Sequence, residues 1–104
     1  MLIPYQGILP KVHPTAWLAE TAVLIGDVEV GEESSIWYGC VLRGDVMHVR
    51  VGKHTNIQDG SILHVDRGCP CVIGKRVSLG HCAIVHASNI RDGALIGIGA
   101  TVLT

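Results

Sequence analysis

Three histidines stand in small or apolar stretches of the sequence: His64 in ILHV, and His81 and His86 in LGHCAIVH. An imidazole in such a setting is a candidate metal ligand or general base. His81 and His86 are five residues apart, which puts them on different sides of a helix and on opposite faces of a strand. If they act together, something other than simple secondary structure must bring them together.

The elements that would position these histidines follow a repeat of six residues. Small or β-branched residues come four positions after most of the repeating aliphatics, and glycine often follows directly. A period of six fits neither a helix nor a hairpin, and it is typical of a hexapeptide solenoid. Each repeat supplies a short strand and a corner, and three repeats make one triangular coil of an all-β prism. The repeating aliphatics are Val12, Leu18, Leu24, Val30, Ile36, Leu42, Val51, Ile57, Leu63, Ile73, Leu79, Val85, Ile90, Ile96 and Val102.

The three faces of this prism can be assigned by counting repeats from Leu63, which is placed on face A. Two gaps are longer than six residues, at 42–51 and 63–73, and we predict that both are loops thrown out at corners. The count then puts Leu42, Leu63 and Val85 on face A, Val51 and Ile73 on face B, and Ile57 and Leu79 on face C.

The face count predicts which polar residues are neighbours. Arg43, His64 and His86 each follow the first residue of a face-A repeat, so they form one column on successive coils about 4.8 Å apart. His81 falls above Asp59 at the end of face C. The three histidines of one chain therefore do not meet.

Symmetric association would bring them together, because His81 of one copy can meet His64 and His86 of another. A trimer that packs face A against face C closes into a ring. Three histidine nitrogens with an open fourth position are the ligand set of a catalytic zinc site. The alternative is that these are ordinary surface or capped histidines of a β-solenoid.

Composition places the chain in a broad class. Its 104 residues make a single domain, 1–104, with a net charge of −1 and no basic run, which argues against nucleic acid or an anionic membrane as a partner. The apolar runs are too short to span a bilayer and the N-terminus does not resemble a secretory signal. We expect a soluble, cytoplasmic protein.

The four cysteines have no spacing typical of a disulfide framework. We expect Cys40 and Cys82 to be small buried apolar residues. Cys69 and Cys71 flank a proline at a spacing that is unlike a zinc knuckle, which favours two thiols in a surface corner.

At these residues the sequence resembles the gamma-class carbonic anhydrases and the related acetyltransferase-like hexapeptide-repeat proteins. The resemblance runs from about Tyr5 to the last residue and is carried by four segments. It implies a left-handed parallel β-helix, a homotrimer and the metal ligands His64, His81 and His86, with His81 donated across the subunit interface. The segments are RGDV (43–46), TNIQDGSILHV (55–65), VSLGHCAIVH (77–86) and ALIGIGATVL (94–103).

The resemblance also assigns the polar residues near the histidines. It pairs Arg43 with Asp59 of the adjacent subunit, where a bidentate ion pair would lock two chains in register. Asp45 lies beside Arg43 on the coil below the histidine column. Gln58 is suited to bind metal-bound hydroxide through its amide, and Asn56 is a weaker candidate for that role. Either amide could instead cap a corner, and the ion pair could be an ordinary surface pair.

The activity implied is the reversible hydration of CO2 to bicarbonate by metal-bound hydroxide. Zinc would supply that hydroxide at neutral pH, and three imidazoles also accept cobalt or ferrous iron. Family members move the released proton with glutamates of an acidic loop. The corresponding segment here, GDVMHVRVG, contains none, so His48 or buffer would have to act and slow turnover is expected.

Two further departures from the family are visible. Ala87 follows His86 where the family has glycine, a change that matters if the backbone there needs positive φ. The sequence stops at GATVLT, without the further coil and C-terminal helix of the family, so we expect either a fragment or an open end that association covers.

Three functions remain open from the sequence. The first is a trimeric carbonic anhydrase. The second is a hexapeptide acyltransferase that uses acyl-CoA and a histidine base, although no histidine stands apart from the metal set. The third is a structural or assembly trimer that keeps the fold and the metal without catalysis.

Overall fold

The computed structural model describes all residues 1–104, and the chain forms a β-helix of about five turns. It contains fourteen short strands and no helix, so no helix in it is long and apolar enough to span a bilayer. The strands are β1 (Leu2–Ile3), β2 (Lys11–Val12), β3 (Trp17–Leu18), β4 (Val23–Val30), β5 (Ser35–Ile36), β6 (Val41–Val51), β7 (Asn56–Ile57), β8 (Ile62–His64), β9 (Cys71–Ile73), β10 (Ser78–Leu79), β11 (Ile84–His86), β12 (Asn89–Ile90), β13 (Leu95–Ile96) and β14 (Thr101–Val102).

Parallel pairing between coils builds three faces. Face A is the order β1, β4, β6, β8, β11 and β14, and face C is the order β3, β5, β7, β10 and β13. Face B contains β2, β9, β12 and the second halves of β4 and β6, which bend around a corner from face A. The predicted all-β, left-handed parallel β-helix is confirmed.

The strand register confirms the assignment of faces by counting. Leu63 pairs with Leu42 on the coil before and with Val85 on the coil after. On face C, Leu79 pairs with Ile57. On face B, Ile73 pairs with Val51.

The interior of the prism is an aliphatic column with a few buried hydroxyl groups. Leu24, Leu42, Leu63 and the other central aliphatics are almost fully buried. Buried hydroxyls stabilise the stack because each donates to a backbone carbonyl of the next coil, and a buried hydroxyl without a partner would cost free energy. These bonds join Ser34 to Gly52 O (2.6 Å), Thr55 to Gly74 O (2.7 Å) and Ser61 to Gly80 O (3.0 Å).

One of the two predicted corner loops is wrong. Residues 42–51 lie within the single strand β6, whose register with β4 shifts between Gly26 and Val28 to accommodate the extra residues. Val46 comes four positions after Leu42, where the repeat predicts a small or β-branched residue toward the prism axis, but it lies in this bulged region and is 46% exposed. The second loop is confirmed, because an antiparallel bridge between Asp66 and Cys69 closes a turn there.

Left-handed backbone conformations line up at two corners of the prism. The column before face C contains Glu33, His54, Arg76 and Gly93, and the column before face A contains Gly39, Gly60, Cys82 and Gly99, all with φ between 54° and 76°. Cys82 is exposed because it occupies such a corner, so the prediction that it is buried is wrong, whereas Cys40 is buried as predicted.

Ala87 also has positive φ, at 51°. The substitution of alanine for the family's glycine therefore places a Cβ atom in a conformation that costs about 1 kcal/mol.

Candidate functional site

His64 and His86 form the centre of the candidate site. They end the adjacent strands β8 and β11 and are direct register partners. Their ring centroids are 5.2 Å apart, and the ring planes make an angle of 63°. The predicted column of these two histidines on face A is therefore present in the structure.

Asp45 links this pair to Arg43 on the preceding coil. His64 Nε2 donates to Asp45 Oδ1 at 3.1 Å, and Arg43 Nη1 donates to Asp45 Oδ2 at 2.6 Å. Partial burial alone would raise the pKa of Asp45, but the backbone N–H of Val46, together with His64 and Arg43, outweighs burial and lowers it. The carboxylate is thus held in its ionised form beside the histidines.

His81 lies on the other side of the prism, after β10, as the face count predicts. Its Nδ1 donates to Asp59 Oδ1 at 3.2 Å, and both side chains are about half exposed. Arg43 and Asp59 do not pair within one chain, so their predicted pairing between subunits stays a prediction. Within one chain, no group of three or more His, Cys, Asp or Glu side chains is arranged to hold a metal ion.

An open pocket of about 320 Å³ surrounds the His81 side of the site. It brings together three residues named from the sequence, Asn56, Gln58 and Asp59, with His81. Sequence reasoning missed Ser35 and Trp37, which also line it. Ser35 could have been found, because it precedes Ile36 as Asn56 precedes Ile57, and the two are register partners.

The amides in this pocket bind side chains and do not cap a corner. Gln58 Nε2 donates to Asn56 Oδ1 at 2.9 Å, and Asn56 Nδ2 donates to Ser78 Oγ at 2.9 Å. Both amides therefore lie on the outer surface of face C, on the coil before His81.

If two copies of the chain associate, their combined histidines would suit a zinc ion. Two imidazoles in register, with ring centroids 5.2 Å apart, can bind one ion, and His81 of another copy can supply a third nitrogen. The Nδ1 atom of His81 is hydrogen-bonded to Asp59 and that of His86 to Thr104, which leaves Nε2 of each ring available to a metal. His64 differs, because Asp45 uses its Nε2, so metal binding there would replace that contact or use Nδ1.

Comparisons with known proteins identify relatives that match nearly the whole length of this chain. A carbonic anhydrase of Geobacillus kaustophilus is 43% identical over 103 residues, which is 99% of this chain and 57% of that protein. Gamma carbonic anhydrase 2, a mitochondrial protein of Arabidopsis thaliana, is 46% identical over 100 residues, 90% of this chain and 36% of that protein. The chain thus spans about half or less of these relatives. No family model matches the sequence.

Among solved structures, a hexapeptide transferase family protein from Anaplasma phagocytophilum superposes with a TM-score of 0.79 at 38% identity. The match covers 99% of this chain and 75% of that one. Sequence identity of this degree over most of both chains indicates membership of the same family as well as a shared fold. The chain belongs to the family of hexapeptide-repeat proteins that contains the gamma carbonic anhydrases and their transferase-like relatives.

Proposed function

We propose that the protein is a gamma-type carbonic anhydrase-like metalloprotein that interconverts CO2 and bicarbonate in the cytoplasm. It acts as a homotrimer with one zinc ion at each of three subunit interfaces. The observation that carries the proposal is the in-register pair of His64 and His86 in a chain whose relatives include named carbonic anhydrases. His81 completes the ligand set from the adjacent subunit.

Apolar surface on both sides of the prism supports the association. Beside the histidine column, face A carries an outward row of register partners, Val23, Val41, Ile62 and Ile84, of which Ile62 and Ile84 are 40% and 37% exposed. Face C carries a cluster of exposed aromatic rings, Trp17, Trp37 and Tyr38, whose centroids are 4.7 to 6.4 Å apart. Contiguous exposed apolar surface of this kind marks an interaction site.

The chain's own residues would bind and orient the reactants. Zinc, when bound, supplies Lewis acidity that makes hydroxide available from water near neutral pH. Gln58, with its Nε2 held by Asn56, keeps Oε1 free to accept a hydrogen bond and so orient the nucleophile toward CO2. Arg43 and Asp59 would hold adjacent subunits in register, while Asp45 accepts from both Arg43 and His64.

Proton release is the step that the chain supports least. His48 is partly exposed within β6 and is the nearest counterpart in sequence to the family's acidic loop. We therefore expect turnover to depend on the concentration of external buffer. Cobalt or ferrous iron would bind the same three imidazoles, and availability would decide among the metals.

Subunit complementation tests the shared site. His81→Ala and His64→Ala should each fold, because neither side chain is in the core, and each should lose metal and CO2 hydration. When the two variants are mixed under conditions that exchange subunits, an interface in which the His64→Ala chain donates His81 to the His81→Ala chain has all three ligands. Partial recovery of metal content and CO2 hydration is expected.

A matched control is His54→Ala, which removes an exposed histidine of the corner column and should leave metal content and activity unchanged. Wild-type activity in either ligand variant would contradict the three-histidine site. A monomeric mass by light scattering with metal still bound would contradict the trimer.

Acyl transfer is the second candidate, favoured by the likeness to the hexapeptide transferase family protein from Anaplasma phagocytophilum. In that case one histidine would act as the general base and acyl-CoA would bind between prisms. Release of free CoA from acetyl-CoA with an amine or alcohol acceptor, persisting after chelation of metal, would favour it. Recovery of metal but not of CO2 hydration in the mixing experiment would instead favour a structural trimer.

A further inference from the structure

A chain of side-chain hydrogen bonds crosses two coils on face C. Gln58 Nε2 donates to Asn56 Oδ1, and Asn56 Nδ2 donates to Ser78 Oγ, each at 2.9 Å. All three side chains are partly shielded from solvent. Gln58 and Asn56 line the pocket described above, whereas Ser78, at the other end of these hydrogen bonds, does not.

The strand register gives Asn56 a serine neighbour on each side, and the hydrogen bonds distinguish the two serines. Asn56 lies between two serines, with Ser35 as its partner on the preceding coil and Ser78 on the following one. The Ser35 hydroxyl accepts from Trp37 Nε1 at 2.9 Å. Asn56 is hydrogen-bonded to Ser78, so Ser78 holds Asn56 while Ser35 holds Trp37.

The two amides differ in how many of their polar atoms are already hydrogen-bonded. Asn56 uses both its amide nitrogen and its carbonyl oxygen within the chain of bonds. Gln58 uses only Nε2, which leaves Oε1 and one N–H for a group in the pocket that it shares with Asp59 and His81. Gln58 is thus the end of the chain that can contact a reactant, and Asn56 is the connecting residue.

We propose that Ser78 is a positioning residue for Gln58 and acts through Asn56. A free glutamine side chain samples many rotamers, and holding it at one nitrogen fixes which atom faces the pocket. Hydrogen bonds in series also polarise one another, so the serine hydroxyl strengthens the bond that Asn56 makes to Gln58. The role of Gln58 in CO2 hydration rests on the proposed function, whereas the connection from Ser78 to Gln58 rests on the hydrogen bonds alone.

Side-chain amide NMR signals of the purified full chain test the connection without any assay of activity. Ser78→Ala should shift the signals of Asn56 and also those of Gln58, while Ser78→Thr keeps the hydroxyl and should restore both. Thr101→Ala is the control, because it removes an exposed hydroxyl from β14 on face A, and it should leave the Gln58 signals in place. Unchanged Gln58 signals in Ser78→Ala would overturn the proposal.

Kinetics then test the consequence. Ser78→Ala should lower kcat/KM for CO2 by about three- to tenfold, the effect of one neutral hydrogen bond, and Ser78→Thr should recover it. In a Gln58→Ala background the same Ser78→Ala change should have no further effect, because the two residues act as one unit. Additive losses would show a general structural effect and overturn the proposal. If the wild-type protein does not hydrate CO2, the proposed function fails while the NMR result still decides the connection.

Discussion

Cys69 and Cys71 are two positions apart but have different environments. Cys71 is fully buried in β9, where its Sγ lies 3.8 Å from Val85 O, and burial raises its pKa to about 12. Cys69 lies in the turn that Asp66 closes and is partly exposed. The two thiols therefore do not form a pair in one surface corner, as the sequence had suggested.

This difference predicts selective alkylation. Burial and the raised pKa keep Cys71 as the unreactive thiol at pH 8, so iodoacetamide should modify Cys69 and leave Cys71 intact. Peptide mass spectrometry after a timed reaction measures both sites. In guanidinium chloride the two should react at similar rates, which serves as the control. Equal labelling of both residues in the folded protein would contradict the buried environment of Cys71.

The corners are the elements in which this chain stores backbone strain. In the column before face C, Gly93 occupies the left-handed conformation without cost, whereas Glu33, His54 and Arg76 carry a Cβ atom in the same conformation. A non-glycine residue in this region costs about 1 kcal/mol relative to glycine. Arg76 is exposed and makes no ion pair, so its side chain offers little in return.

We therefore expect Arg76→Gly to stabilise the fold by a few tenths of a kcal/mol, at most about 0.6 kcal/mol, after allowance for the greater entropy of glycine in the unfolded chain. The measurement is the denaturant midpoint of unfolding for the metal-free protein. Arg76→Ala is the matched control, because it removes the same side chain but keeps Cβ, and it should show no such gain. An equal gain in both variants would trace the effect to the arginine and not to φ.

The sequence predicts the repeating parts of this structure well and the exceptions poorly. Counting in sixes is enough to place Leu42, Leu63 and Val85, because the prism interior accepts only aliphatic residues at those positions, and it thereby places His64 and His86 directly after two of them. It misplaced Val46, since a bulge in a continuous strand and a corner loop both add residues between repeats. It also misplaced Cys82, which occupies the left-handed corner position of Gly39 and Gly60, whereas Cys40 lies one position later, at the interior.

In the proposed function, the whole molecule would present two halves of a metal site on different sides of the prism. His64 and His86 lie on face A beside the apolar row, while His81 lies after face C near the aromatic cluster. Neither half has three ligands. Assembly and metal binding should therefore be linked, with each favouring the other.

Arg43→Ala tests this linkage. Within one chain Arg43 makes only the exposed pair with Asp45, whose loss should cost at most about 1 kcal/mol of chain stability. If Arg43 also pairs with Asp59 of the adjacent subunit, the variant should lose trimer and zinc together, measured by sedimentation and metal analysis over a range of protein concentration.

Arg50→Ala is the control, because it shows the effect of removing an arginine ion pair elsewhere on the prism. Arg50 pairs with Asp27 and Glu29 on face B, away from both halves of the site. This variant should lower chain stability slightly and keep both the trimer and the metal. A fully metallated Arg43→Ala trimer of unchanged stability would show that the proposed pair between subunits is misplaced.

The parallel register between coils also has a consequence for folding. Neighbours on adjacent coils are 17 to 22 positions apart, so each coil closes a loop of similar length and similar entropic cost. We expect folding to nucleate between β4 and β6, which share the most register pairs, seven in two runs on either side of the bulge. Coils would then add to it one at a time. His64 and His86 become neighbours only when β11 docks on β8, so the chain would gain this proposed metal-binding pair at a late step, after the structure beneath it has formed.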